Sequence, residues 1–181
     1  MSESSDERDD AALLAAAGLG DARAFERLYR RHEAWAFGVA QRFAPDRDEA
    51  ADVVQEAFLH LLSKLPGFEL RARFRTWLYP VLKHLARDRR VKRRPEALPS
   101  EGVLEPEART APSGDDEEVR SVLAALPEGQ REVLLLRFVD DLSLAEIALA
   151  LELPLGTVKS RLFAATRALR ANPRSERLGG P

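Results

Sequence analysis

Three observations predict an all-α protein made of two small helical domains that are joined by a flexible acidic linker. Alanine makes up much of the 45% hydrophobic fraction, which favours helices over a β-rich core. Apolar residues recur at spacings of three and four in several segments, as they do on one face of a helix. Residues 95–118 are rich in proline and acid, have no such periodicity, and divide the 181-residue chain in two.

The first domain is predicted at residues 21–94, after an arm at residues 1–20 that is acidic and then rich in alanine. We expect this arm to be flexible or loosely helical. Asp21 is positioned to cap the first helix of the domain, because a short acidic side chain can accept from the free amides of the first turn. Asp46 or Asp48 begins the second helix, which is the cleanest amphipathic segment of the chain.

The third helix combines an apolar face with a basic end. Its apolar face is predicted to hold Phe74, Trp77, Leu78, Val81 and Leu85. Pro80 lies inside this segment and lacks an amide proton. We expect it to kink the helix unless the helix starts only shortly before it.

Charge reverses sharply where the first domain ends. Residues 83–94 contain seven lysines and arginines against Asp88 alone, whereas residues 95–118 contain eight acidic residues against Arg109 alone. The formal net charge of −2 hides this separation. The basic run indicates a localised anion-binding surface, and the acidic, proline-rich run predicts an extended linker.

The second domain is predicted at residues 119–171, followed by a tail at residues 172–181. Its apolar positions are Val119, Val122, Leu123 and Leu126, then Val133, Leu134, Leu135 and Phe138, and finally Val158, Leu162, Ala165 and Leu169. Ser143 and Glu146 have the spacing of a capping box, and Leu153-Pro154 predicts a short turn. The last two helices therefore form a helix-turn-helix, although helix spacing alone fits an ordinary solvated surface helix equally well.

The sequence excludes several other classes of protein. It has no cysteine, which rules out disulfides and thiolate zinc sites. His32, His60 and His84 do not have the spacing of a metal site, and His32 and His60 are interpreted as residues of the helix surface or core margin. There is no glycine-rich phosphate loop or nucleophile elbow, so we expect neither an enzyme nor a cofactor. No apolar run could span a membrane, and we expect a soluble, cytoplasmic protein.

Four segments resemble the extracytoplasmic-function (ECF) group of RNA polymerase sigma factors, within the sigma-70 family. In the first domain they are GDARAFERLYRRH, DEAADVVQEAFLHLL and FRTWLYPVLKHLARDRRVKRR, in the order and spacing of that family. In the second domain the segment is LSLAEIALALELPLGTVKSRLFAATRALR, preceded by LAALPEGQREVLLLRFVDDLS. The resemblance covers about residues 19–94 and 119–170, and it implies sigma region 2 followed by sigma region 4.

The resemblance also implies partners. Members of the group bind core RNA polymerase, direct promoter-specific transcription initiation, and are often held inactive by an anti-sigma factor. The contacts expected on the polymerase are the β′ clamp helices and the β flap. Asp52, Gln55, Glu56 and Leu59 match the face that docks on the clamp helices. Without the resemblance, this face would be interpreted as an ordinary solvated acidic surface.

Two sets of DNA-binding residues follow from the same resemblance. The set expected at the −10 element, where a base is flipped out of the stack, is Phe68, Arg71, Arg73, Phe74, Lys83, His84, Arg87 and Arg90. The set expected at the −35 element is Thr157, Lys159, Ser160, Arg161, Phe163 and Arg167. Trp77 could stack on DNA, but its helical register favours the core.

Two alternatives remain open. A helix-turn-helix regulator would explain the second domain but not the DVVQEAF and FRTWLYPVLKHLARD segments. A sigma-like interaction module without initiation activity would explain both domains. Binding to core polymerase separates the regulator from the sigma interpretations, and promoter-dependent transcription separates an active sigma factor from an inactive one.

Overall fold

The computed structural model describes residues 3–93, 119 and 121–171. Regular secondary structure within these ranges is entirely helical, which confirms the predicted all-α class. The chain divides into two compact units between Leu104 and Glu105, inside the segment predicted to be a linker. The predicted linker and C-terminal tail themselves lie outside the described residues.

The described residues of the first unit, 3–93, form four helices. They are α1 (Glu3–Gly18), α2 (Ala22–Ala40), α3 (Arg47–Lys64) and α4 (Phe74–Arg93). The predicted caps are confirmed: Asp21 accepts from the amides of Arg23 and Ala24, and Asp46 accepts from the Glu49 amide at 2.8 Å. Of the two candidates for the start of α3, Asp46 is therefore the capping residue.

Helices α2, α3 and α4 pack around an apolar core. Its fully buried side chains include Leu28, Val39, Val53, Leu61, Leu78 and Leu82. Phe58 lies at the centre of the aromatic contacts, with ring centroids 4.7 Å from Tyr29 and 6.2 Å from Phe74. These contacts fix the three helices against one another and leave the outer face of α3 in solvent.

The predicted register of α4 is partly wrong. Tyr79 and Leu82 are fully buried although the sequence pattern did not assign them to the core, whereas Trp77, Val81 and Leu85 are only partly buried. Buried residues of α4 recur every four positions from Phe74. Their face of the helix is rotated slightly about the helix axis from the predicted apolar face. The helix continues through Pro80.

The arm that the sequence predicts to be flexible or loosely helical contains helix α1, and the C-terminal half of that helix is packed against the unit. Leu13, Leu14 and Asp10 are buried, and a Cβ atom added at Gly18 would lie 3.1 Å from the Leu65 carbonyl oxygen. The C-terminal half of α1 therefore packs closely on the rest of the unit. The sequence pattern did not reveal this because alanines surround the two leucines on every side of the helix.

In the second unit, the residues described after a helical turn at 121–124 form three helices. They are α5 (Glu128–Phe138), α6 (Leu144–Ala150) and α7 (Leu155–Ala171). The capping box is confirmed, since Ser143 Oγ accepts from the Glu146 amide at 3.3 Å and Glu146 Oε2 accepts from the Ser143 amide at 2.7 Å. A turn of four residues separates α6 from α7, which confirms the helix-turn-helix.

The second unit has its own apolar core. Leu126, Leu134 and Ala165 form one buried cluster, and Leu123, Leu162 and Leu169 pack against it. Phe138, one of the apolar positions of the predicted helix, lies outside this core, because 64% of its surface is exposed at the end of α5. Leu136, which the pattern did not select, is fully buried instead.

Candidate functional site

The exposed face of α3 is acidic and is bound by one arginine from α4. Arg89 Nε donates to Glu56 Oε2 at 2.8 Å, and Arg89 Nη1 donates to Asp52 Oδ2 at 2.9 Å. The same Nη1 also reaches Glu49 Oε2 at 3.4 Å. These three carboxylates recur at spacings of three and four residues, which aligns them along one side of the helix.

The electrostatics of this cluster favour the charged form of the arginine. Hydrogen bonds to Glu56 first, and then to Asp52 and Glu49, raise the pKa of Arg89 above its ordinary value against the opposing effect of burial. Glu49, Asp52 and Glu56 thus share the guanidinium of Arg89. Gln55 and Leu59 lie exposed on the same helix, and 59% of the Leu59 surface faces solvent.

An aromatic group surrounds the loop before α4. The Phe68 ring meets the Trp77 ring edge-on at 5.0 Å, and the His60 ring lies nearly parallel to Trp77 with centroids 6.4 Å apart. Trp77 is therefore neither a fully buried core residue nor a free surface ring. It holds the loop to α4 through Phe68.

Phe74 is not a surface residue. Its side chain is 2% exposed and packs against His32 at 4.7 Å and Phe58 at 6.2 Å, measured between ring centroids. Its predicted assignment to the −10 DNA surface is therefore wrong. The resemblance to the family led to that assignment, whereas the apolar pattern of the third helix had placed Phe74 on its apolar face.

The other predicted −10 residues remain accessible to differing degrees. Arg71, His84 and Arg87 are exposed, while Phe68, Arg73, Lys83 and Arg90 are partly buried. Lys83 Nζ lies 5.9 Å from the centroid of the Phe43 ring, and His84 Nε2 lies 3.1 Å from Asp88 Oδ2. The loop and the outer side of α4 thus form a surface with several cations and little acid.

Helix α7 presents the residues predicted for the −35 element. Lys159, Ser160, Phe163 and Arg167 are exposed, and 68% of the Phe163 surface faces solvent. Val158 and Ala165 are buried on the opposite side, which fixes the orientation of the helix. This face combines cations with one apolar ring. It therefore suits contact with the base edges in a groove of a nucleic acid.

Thr157 and Arg161 are only partly buried, and Arg161 lies against another helix. A Cβ atom added at Gly129 in α5 would meet Arg161 Nη1 at 2.8 Å. The missing side chain at Gly129 therefore makes room for the guanidinium. The guanidinium of Arg161 lies beside Gly129 of α5.

Comparison with known proteins identifies the family. Sigma-70 region 2 matches residues 28–96, and sigma-70 region 4 matches residues 116–169, which together span more than half of the chain. The ECF RNA polymerase sigma-E factor of Escherichia coli K12 is 34% identical over 184 residues, covering 91% of this chain and 94% of that protein. The chain belongs to the ECF sigma factors of the sigma-70 family.

Further relatives agree with this assignment. The ECF RNA polymerase sigma factor SigW of Bacillus subtilis 168 is 29% identical over 168 residues, covering 83% of this sigma factor and 89% of its relative. A solved structure of CnrH in complex with the cytosolic domain of CnrY has a TM-score of 0.66 and 27% identity, and the match covers 90% and 96% of the two chains. The sigma factor RpoE of Bartonella quintana, solved with the anti-sigma factor NepR, shares the fold at 24% identity and a TM-score of 0.64.

Two features of this sigma factor could not be found from its sequence. Arg89 was assigned only to the basic run, and nothing in the spacing of Glu49, Asp52 and Glu56 says which cation of another helix they bind. His32 was interpreted as a surface or core-margin residue, but it is buried and its Nε2 lies 2.8 Å from Asp10 Oδ2 of α1.

Sites of other kinds are not found among the described residues. Within 3–93, 119 and 121–171, no three acidic or histidine side chains are grouped as metal ligands. None of the helices described there is long and apolar enough to cross a membrane.

Proposed function

We propose that this sigma factor binds core RNA polymerase and directs transcription initiation at specific promoters, without a catalytic site of its own. The observation that carries the proposal is the occurrence of sigma-70 regions 2 and 4 on one chain, one in each compact unit. Each unit has an exposed polar face suited to a macromolecular partner. A helix-turn-helix regulator would not need the acidic face of the first unit.

The polymerase-binding surface is the exposed side of α3. Asp52, Gln55 and Glu56 supply two carboxylates and an amide, and Leu59 adds an exposed apolar side chain. Carboxylates that retain free oxygens form strong, oriented hydrogen bonds with arginine or lysine. The partner in this proposal is the helical clamp of the β′ subunit, and the β flap is the second contact, made by the region 4 unit.

The −10 element is bound by the loop before α4 and by the outer side of that helix. The residues proposed are Phe68, Arg71, Arg73, Lys83, His84, Arg87 and Arg90. The cations contact phosphates and so contribute affinity more than sequence discrimination. The loop around Phe68 has a defined shape within this surface, because contact between the Phe68 and Trp77 rings anchors the loop.

The −35 element is read by α7. Lys159 and Arg161 lie in its first two turns, where a helix entering the major groove contacts base edges. Thr157, Ser160 and Arg167 add polar contacts, and exposed Phe163 can meet a thymine methyl group.

An anti-sigma protein is the further partner proposed. Support comes from the relative CnrH, which was solved in complex with the cytosolic domain of CnrY. A cytoplasmic location follows from the same proposal, since core polymerase and promoter DNA are found there.

The test is run-off transcription with purified core polymerase on a library of promoter fragments from the host. Transcripts that appear only with the protein support the proposal. Stable binding to core polymerase without any transcript would favour a sigma-like module that lacks initiation activity. Failure of both would contradict the proposed function.

Two variants test the surfaces separately in this assay. Arg161→Ala should weaken −35-dependent transcription, by about 1–3 kcal/mol if the guanidinium contacts a base. Gln55→Ala combined with Glu56→Ala should reduce polymerase binding on every promoter. Unchanged promoter discrimination in the first variant, or intact core binding in the second, would remove the corresponding assignment.

A further inference from the structure

Arg89, one of the cations of the basic run, binds three carboxylates of α3. We propose that Arg89 is a positioning residue for polymerase docking, which holds Asp52 and Glu56 in the geometry that meets the partner. In this inference, which rests on the proposed function of the α3 face, Arg89 does not bind DNA phosphate. The basic run of α4 is thereby divided between two tasks.

Arg89 leaves part of each carboxylate open to a partner. Arg89 contacts one oxygen of each carboxylate, namely Glu56 Oε2 at 2.8 Å, Asp52 Oδ2 at 2.9 Å and Glu49 Oε2 at 3.4 Å. A carboxylate can accept hydrogen bonds at both of its oxygens, so the second oxygen of Asp52 and of Glu56 retains its capacity for a partner. The planar guanidinium suits this task because its donors are fixed relative to one another.

Arg89 is less exposed than two of the carboxylates that it binds. The side chains of Asp52 and Glu56 are 58% and 44% exposed, whereas that of Arg89 is 33% exposed and lies between α3 and α4. A docking partner therefore meets the carboxylates more readily than the arginine. A phosphate would have to draw Arg89 away from three acceptors before it could bind.

Removal of the arginine would have two opposing effects on docking. Without Arg89, Asp52 and Glu56 would lose a cation that now offsets part of their negative charge, and they would attract a basic partner more strongly. Between exposed groups this gain is small and is screened by salt. The loss is larger, because two side chains that are now held in place would have to be immobilised on binding. We therefore expect weaker docking when Arg89 is replaced.

The experiment measures the affinity of the full-length protein for core RNA polymerase by fluorescence anisotropy. Arg89→Gln should weaken binding about tenfold, which corresponds to the ordering of one or two side chains. Arg89→Lys keeps the positive charge but lacks the planar, fixed set of donors of a guanidinium. It should therefore recover only part of the affinity. If neutralisation of charge were the whole role of Arg89, the lysine variant would bind like the wild type, and the proposal would be overturned.

A combination with the acidic residues distinguishes positioning from a general structural role. Asp52→Asn with Glu56→Gln should weaken core binding, and adding Arg89→Gln to that pair should cause little further loss, because Arg89 acts through those carboxylates. A full additional loss would show that Arg89 acts elsewhere and would overturn the proposal. Circular dichroism of each variant verifies that the helices are retained.

As a control, the affinity of the holoenzyme for a promoter fragment is measured at several salt concentrations. Arg87→Gln removes one exposed cation of α4. It should lower the slope of log affinity against log salt concentration by about one, while core binding is retained. Arg89→Gln should leave that slope unchanged. A lowered slope with unchanged or improved core binding would make Arg89 a phosphate contact and overturn the inference. If the acidic variants themselves bind core polymerase normally, the docking surface of the proposed function is wrong as well.

Discussion

Asp10 of α1 and His32 of α2 form a buried polar contact that ties the first helix to the rest of its unit. His32 Nε2 and Asp10 Oδ2 are 2.8 Å apart, and Asp10 Oδ1 also accepts from Arg31 at 2.7 Å. Both Asp10 and His32 are about 5% exposed, whereas Asp9, which also binds Arg31, is 41% exposed in its side chain. The arginine thus links a buried and an exposed carboxylate on one turn of α1.

Replacing Asp10 should therefore cost more stability than replacing Asp9. Asp10→Ala leaves a buried histidine nitrogen without its partner, for which we expect a loss of about 1–3 kcal/mol in the free energy of unfolding. Asp9→Ala serves as the matched control, because it also removes a carboxylate from Arg31 but one that water can replace. Urea denaturation monitored by tryptophan fluorescence measures both. An equal or larger loss for Asp9→Ala would contradict the assignment of Asp10 as the anchoring residue.

Local signals in the sequence predicted the starts of the helices well, because a cap is made by residues a few positions apart. Asp21 and Ser143 cap their helices as expected. The buried face of α4 and the packing of α1 were predicted poorly, since they depend on which neighbouring helix covers each side. The amphipathic pattern gives only the average direction of the apolar side. It could not distinguish Trp77 from Tyr79.

The same reasoning applies to the candidate site. Asp52 and Gln55 were predicted to belong to a solvated face because they lie off or at the margin of the apolar stripe of a single helix, and they are exposed. Phe74 was assigned to DNA from its position in the family pattern, but packing against α2 and α3 buries it. The partners of Arg89 come from another helix, so the sequence contains no local signal for them.

At the scale of the helix, Pro80 should be a destabilising residue. It lies in the interior of α4, where it has no amide proton to donate to the carbonyl of Thr76 one turn earlier. Pro80→Ala restores that donor and should raise the free energy of unfolding by about 1–2 kcal/mol, after allowance for the more flexible unfolded chain. Thermal unfolding measures the change.

Pro45 offers a control of the opposite sign. It is exposed and lies in the connection between α2 and α3, outside any helix. There an alanine gains no helical hydrogen bond, and it should lower stability by about 0.4–1 kcal/mol because the unfolded chain becomes more flexible. A lower melting temperature for Pro80→Ala, similar to that of Pro45→Ala, would mean that the proline ring contributes packing that outweighs the missing hydrogen bond.

At the scale of the molecule, each unit has its own core, but only the first contains tryptophan and tyrosine. The two tryptophans are Trp35 and Trp77, and the two tyrosines are Tyr29 and Tyr79. Tryptophan fluorescence therefore reports on the first unit, whereas far-ultraviolet circular dichroism reports on the helices of both. Since two separate cores need not unfold together, we expect the two signals to give different unfolding transitions.

A pair of matched core substitutions tests this independence. Leu78 in α4 and Leu136 in α5 are both 0% exposed, so truncation of either to alanine should destabilise its own unit by about 2–5 kcal/mol. Leu78→Ala should shift the fluorescence transition. Leu136→Ala should shift only part of the circular dichroism transition and leave the fluorescence midpoint where it is in the wild type. If Leu136→Ala moves the fluorescence midpoint as far as Leu78→Ala does, the two units unfold as one cooperative structure, and the surfaces on α3 and α7 are coupled through the fold before any polymerase is bound.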